Sequence, residues 1–182
     1  MKRAVLIKIN PNNHKEIIDS LLILYGKSIE INEYKECLKI ILEDLTIKEI
    51  YDTFNSLRVD LNVYFNFYIS SFTDYELEIE LIYDSFIKSK TEAYKLKELL
   101  AKTQNISNYV KIFDLITNGS GVNKSVVLAM AECDLNVSKA SNCLYMHRNT
   151  LLYKIDRLFE ISGFDLKKFY DVYILVRLIM GT

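Results

Sequence analysis

Hydrophobic positions along this chain switch between a period of two and a period near 3.6, and the switch points mark out its elements. Residues 4–9 form a short apolar run rich in branched side chains, stopped by Asn10-Pro11-Asn12-Asn13, and predict a first strand. Helical spacing follows through Ile17, Leu21, Leu22 and Leu24 as far as Gly26, a suitable helix C-terminus. Ile29 and Ile31 alternate with Glu30 and Asn32, and residues 37–42 give another strand, joined to the first through the polar segment 33–36 as a hairpin. Thr46-Ile47-Lys48-Glu49 has the form of a capping box, with Leu45 and Ile50 placed as a hydrophobic staple, so a helix starts there. Val63, Phe65, Phe67 and Ile69 alternate with Tyr64, Asn66, Tyr68 and Ser70, which predicts a strand with one apolar face. Thr73-Asp74-Tyr75-Glu76 repeats the capping box, with Phe72 and Leu77 as its staple, ahead of a helical region that runs toward Leu100 and breaks near 89–91.

The order strand, helix, strand, strand, helix, strand, helix is that of a split β-α-β, ferredoxin-like domain, with helices expected on one side of an antiparallel sheet. Residues 106–116 continue with a helical pattern, and Thr117-Asn118-Gly119-Ser120-Gly121 then holds two of the five glycines in the chain. This places a hinge-like boundary there: an α+β domain over 1–116, a linker over 117–122 and an all-α domain over 123–182. Within that second domain a compact apolar helix is expected over 125–131, and Asn136 or Ser138 can cap the next one. From Asn136 to Leu151 the pattern is a helix-turn-helix. The small Ser141 sits where the helices approach, and Ala140, Leu144, Met146 and Leu151 supply an inner face. The second helix of the pair runs over 147–161 and stops at Ser162-Gly163. On it Leu151, Ile155, Leu158 and Ser162 share one side, while Asn149, Tyr153, Asp156 and Glu160 form the opposite stripe.

Composition narrows the class. Half of the 182 residues are hydrophobic and 26% are charged, a globular balance. No apolar run reaches the roughly 18 residues that span a bilayer, and Lys8, Asn10 and Pro11 cut the opening apolar run too short for a leader. Cys37, Cys133 and Cys143 are odd in number and irregularly spaced, so the sequence indicates neither a disulfide framework nor a zinc site, and a reducing cytoplasm is expected. The net charge of -1 is unevenly spread: from Asp134 onward seven Lys or Arg face five acids. That asymmetry permits binding to a polyanion, which depends on local clustering rather than on totals.

Cyclases and GGDEF-type domains share the topology expected of the N-terminal half, so an enzyme must be weighed. Their chemistry needs metal-binding carboxylates on the first strand and at the central hairpin, with glycines for close phosphate approach. Here the first strand offers only Lys8 and Asn10, and the hairpin Asn32-Glu33-Tyr34-Lys35-Glu36 has no glycine. Glu33, Glu36, Glu43 and Asp44 read as solvated charges, and no catalytic residue, cofactor or metal site is expected. The chemistry lies instead at the start of the second helix of the pair. Arg148 can pair with guanine O6 and N7, and Asn149 with adenine N6 and N7. Ser138, Thr150, Tyr153 and Lys154 suit phosphates, and His147 suits a helix cap or a phosphate. Asp156 and Glu160 would repel phosphates, so only the N-terminal end of this helix is expected in a groove.

At these residues the chain resembles a known family. Asn136-Val137-Ser138, His147-Arg148-Asn149-Thr150-Leu151, Tyr153-Lys154 and Gly163-Phe164-Asp165-Leu166 closely resemble the C-terminal DNA-binding domain of PucR/CdaR-type transcriptional regulators, over about 125–180. The departures are Ser141, where the family usually has alanine, and Leu152-Tyr153-Lys154, where Arg-Tyr-Arg is common. The resemblance implies a regulator that binds double-stranded DNA and places a degenerate GGDEF-like domain before its helix-turn-helix. Many members carry a longer N-terminal sensor region, which this chain is expected to lack, and an unidentified small-molecule effector is left open. Phe169–Met180 is apolar nearly all round. It is expected either to form a homodimer contact, as a palindromic operator requires, or to be buried against the N-terminal domain. The alternative readings are a nucleotide-binding or cyclase-like enzyme built on the N-terminal domain, or a protein-interaction module.

Overall fold

The computed structural model describes residues 2–72, 74–89, 95–102 and 108–181. The chain divides into two compact units, Met1–Lys102 and Thr103–Thr182. In the first, strands β1 (Lys2–Lys8), β2 (Ile29–Tyr34), β3 (Cys37–Glu43) and β4 (Asn66–Ile69) pair antiparallel in the order β2-β3-β1-β4. The register sets Val5 opposite both Ile40 and Ile69, and Ile7 opposite both Leu38 and Phe67. These side chains share one face and pack on Ile17 and Leu21 of helix α1 (His14–Tyr25) and on Ile50, Phe54 and Leu57 of helix α2 (Ile47–Asp60). Helix α2 opens on the expected capping box: Thr46 Oγ1 accepts from the Glu49 amide while Glu49 Oε2 accepts from the Thr46 amide.

The opposite face of the sheet is covered as well, which corrects the expectation of helices on one side. Helix α3 (Tyr75–Lys88) lies there: Tyr68 of β4 meets Phe86 with ring centroids 6.1 Å apart, and Lys39 of β3 pairs with Glu76 at 2.8 Å. The cause is that Ala4, Leu6, Ile41 and Tyr68 make this face apolar too, and all four are buried. An apolar face left in water would forfeit its burial energy. Asp74 caps α3 through the Leu77 amide; Thr73, the first residue of the second expected capping box, lies outside the described residues. Helix α4 (Leu96–Lys102) packs beside α3, and most of the break expected over 89–91 also lies outside them.

One carboxyl group ties this layer together. Glu78 of α3 is buried and accepts from Tyr68 Oη at 2.5 Å, from the Ser71 amide at 2.9 Å and from the Phe72 amide at 2.9 Å. Burial pushes its pKa up to about 7, against those donors and the nearby Arg3, which pull it down. The folded unit therefore holds this proton more tightly than the unfolded chain does. The stability this contributes is fully present below the ordinary glutamate range and is lost as pH rises toward 7. Unfolding free energy of the N-terminal unit should fall between pH 5 and 7.5 by up to about 3 kcal/mol, at about 1.4 kcal/mol per pH unit. Denaturant titrations at the two pH values check this, and a Glu78→Gln variant should flatten the difference.

The second unit is helical: α5 (Tyr109–Thr117), α6 (Lys124–Glu132), α7 (Val137–Cys143), α8 (Arg148–Ser162) and α9 (Phe169–Met180). Its core joins Ile112 and Ile116 of α5, Val127 and Met130 of α6, Leu151, Ile155 and Leu158 of α8, and Ile174, Leu175 and Leu178 of α9. Here too the structure differs from the expected boundary. Helix α5 packs on α8 and α9, so the segment 117–122 is internal to this unit rather than a linker ahead of it. The reason is that Ile112, Phe113, Leu115 and Ile116 are buried apolar side chains that α8 and α9 cover. Helix α9 buries one side only; Phe169, Tyr170, Tyr173 and Met180 are exposed.

Candidate nucleic-acid interface

Helix α7 starts because Asn136 Oδ1 accepts from the Ser138 amide at 3.0 Å and the Lys139 amide at 3.1 Å, satisfying two otherwise free donors. Asn136→Ala should therefore lower the stability of the C-terminal unit by about 1 kcal/mol. A chemical denaturation midpoint equal to the parent's would mean that the cap contributes nothing. Ala140 and Ser141 are buried where α7 meets its neighbour, and the polar Ser141 is satisfied by donating its hydroxyl to Ser138 O at 2.9 Å.

The turn over 144–147 is held by Met146 N to Ser141 O at 2.9 Å and Tyr145 N to Asn142 O at 3.1 Å. Tyr145 adopts φ 49°, left-handed backbone at a turn position where glycine is frequent. His147 caps α8: its Nδ1 accepts from the Asn149 amide at 3.2 Å. A neutral imidazole that accepts at Nδ1 carries its proton on Nε2, which makes that nitrogen a donor. At the far end Gly163, at φ 73°, closes α8 with its amide on Phe159 O at 2.8 Å.

Helix α8 divides along its length. Leu151, Ile155 and Leu158 are buried. Arg148, Asn149 and Thr150 are exposed in the first turn, and Tyr153 is 68% exposed one turn on. These four project with His147 from one end of the helix, and Ser138 is exposed in the first turn of α7. Lys154 behaves differently: it is half-buried and its Nζ donates to Gly121 O at 2.6 Å, bracing the turn before α6. The acids on the distal part of the stripe are paired, Asp156 with Lys167 at 3.1 Å and Glu160 with Arg157 at 3.3 Å. Two residues that the sequence pattern did not single out join this surface: Tyr145, which is 99% exposed in the turn, and Lys139, exposed at the start of α7. The signal for Tyr145 was available, since a turn position between two apolar helices has nowhere to bury a ring. Among the described residues no group of His, Cys, Asp or Glu could hold a metal ion, and no helix is long and apolar enough to cross a membrane.

The second unit is thus a helix-turn-helix domain. Residues 125–176 match the family model of the PucR C-terminal helix-turn-helix domain, so the chain carries that domain. Among curated proteins, the uncharacterized protein YxkF of Bacillus subtilis (strain 168) is 32% identical over 84 residues, which cover 46% of this chain and 25% of that protein. The match therefore spans about a quarter of that relative's length. Among solved structures, a regulator of polyketide synthase expression from Bifidobacterium adolescentis has 12% sequence identity and a TM-score of 0.47, with 99% of this chain and 80% of that chain covered.

Proposed function

We propose that this protein is a sequence-specific DNA-binding transcriptional regulator of the PucR/CdaR type, with the N-terminal end of α8 in the major groove. The observation that carries this is the division of α8: its first turn presents Arg148, Asn149 and Thr150 to solvent while Leu151, Ile155 and Leu158 close the domain behind it. Arg148 then reads guanine and Asn149 reads adenine. Thr150, Tyr153, Ser138 and the Nε2–H of His147 contact phosphates, aided by the positive end of the helix dipole. Lys154 adds positive charge near the backbone of the duplex, its amine shared with Gly121 O.

The N-terminal unit acts as a non-catalytic regulatory module of ferredoxin-like, degenerate GGDEF-like type. The strand order β2-β3-β1-β4 supports that reading. A cleft of about 710 Å³ at the sheet end, bounded by Lys8, Asn10, His14, Glu33, Glu36 and Asn66, supports a sensing role, because clefts of that size take small molecules. His14 Nε2 is buried beside it with no hydrogen-bond partner among the described residues. The protein works as a homodimer on a palindromic operator; the exposed Phe169, Tyr173 and Met180 of α9 support an apolar subunit contact. The test is selection of bound sites from a random duplex library. The expected result is enrichment of an inverted repeat whose half-sites lie about one helical turn, or a multiple of it, apart. Affinity should fall steeply as salt rises. A folded chain that enriches no sequence over random duplex overturns the proposal.

A further inference from the structure

Two cysteines that the sequence leaves unrelated meet in the helix-turn-helix domain. Cys133 caps the C-terminus of α6, Cys143 is the last residue of α7, and their Sγ atoms lie 3.5 Å apart. Cys143 is exposed and Cys133 is buried. We propose that this pair is an oxidation site, at which a peroxide closes an intramolecular disulfide that joins α6 to α7. To bond, the sulfurs need to approach from 3.5 Å to about 2.05 Å.

The chemistry balances with hydrogen peroxide as oxidant. The exposed Cys143 sulfur, as thiolate, attacks one peroxide oxygen, the O–O bond breaks, and a sulfenic acid and one water result. The Cys133 sulfur then attacks the sulfenic sulfur, the S–O bond breaks, and the second water leaves. The protons of the two thiols end in the two waters, and two thiols are oxidised as one peroxide is reduced. The order follows from access: Cys143 is exposed and meets the peroxide first, while Cys133 is buried with its sulfur 3.5 Å away, placed to attack the sulfenic sulfur that forms. Cys37 is a bystander, buried in β3 with its thiol pushed up to about 11. The bond fastens α7 directly ahead of the turn that aims α8, and it spans Asp134 and Leu135, both in left-handed backbone at φ 54° and 62°.

The experiment treats the full chain with equimolar hydrogen peroxide, alkylates it after denaturation and maps its tryptic peptides without reduction. Cleavage after Lys139 separates the two cysteines, so the disulfide shows as a linked pair of peptides lighter by two hydrogens. The expected result is that link, with Cys37 alone alkylated, full reversal by dithiothreitol, and slower amide exchange over 141–147 in the oxidised form. Cys143→Ser should abolish the link and Cys37→Ser should leave it intact. A sulfinate on Cys143 with Cys133 still alkylated, or a link between two chains through Cys143, overturns the proposal. Neither outcome depends on whether the domain binds DNA.

Discussion

Glu78→Ala should destabilise the N-terminal unit by about 3–5 kcal/mol, the scale of several hydrogen-bond donors losing one shared acceptor. Three donors converge on this carboxyl: the Tyr68 hydroxyl and the amides of Ser71 and Phe72. Alanine leaves all three without an acceptor, the Tyr68 hydroxyl and the Phe72 amide in buried positions and the Ser71 amide in a half-buried one, and a buried donor costs about 1–3 kcal/mol when stranded. The loss falls short of the sum because removing Glu78 also removes a carboxyl that burial disfavours in its charged form. The same helix supplies a control. Ser85 is buried and its hydroxyl has no hydrogen-bond partner among the described residues. Ser85→Ala should therefore match or exceed the parent's stability, since it deletes a polar group that gains nothing from folding. Set against the roughly 5–15 kcal/mol typical of a domain, the Glu78 loss is large enough to read in any denaturant titration. Should Glu78→Ala unfold no earlier than Ser85→Ala, the carboxyl does not hold the β4–α3 connection.

The reach of the sequence can be judged from individual elements. The Thr46–Glu49 capping box was legible because both partners sit within one turn and the interaction is local. The same holds for Gly163, where a single left-handed residue stops α8. The cover on the second face of the sheet was harder to see. Val63 to Ser70 alternates in sequence as if one face were wet, yet Tyr68 and Ser70 are buried along with Phe67 and Ile69. Tyrosine and serine are polar in a pattern count, but here Tyr68 donates to Glu78 and Ser70 Oγ accepts from the Ala4 amide, so both are at home in an interior. The unbroken Ala4-Val5-Leu6-Ile7 run was the better guide, since a strand covered on both faces loses its alternation. Glycines at 119 and 121 suggested a boundary because they mark turns; a turn can equally lie inside a domain, and burial of Ile112 and Ile116 decides that this one does. The pairing of Cys133 with Cys143 could not be read at all. Ten residues of separation carry no periodic signal, and only the close packing of α6 on α7 brings the sulfurs together.

Arg148→Ala and Asn149→Ala should each weaken binding to the selected duplex by about 1–3 kcal/mol, roughly 5- to 150-fold, while leaving the fold intact. Both side chains are exposed, so their truncation opens no cavity. Asn149 lends only its backbone amide to the His147 cap, which alanine retains. What separates base reading from charge is the pattern across sequences. Removing a bidentate base pairing at Arg148 should flatten preference at one base pair and leave the others unchanged. Removing a phosphate interaction elsewhere weakens all sequences alike and reduces the salt slope. Lys154→Met provides the contrast within the same helix. Its amine is held at 2.6 Å by Gly121 O, so the main effect should be on the stability of the turn over 117–122, with a smaller and sequence-independent decrease in affinity. Base preference profiles for the three variants, measured at two salt concentrations, distinguish these outcomes. If Arg148→Ala and Asn149→Ala both retain the parent's preference at every position, the first turn of α8 does not read bases, however well the domain binds.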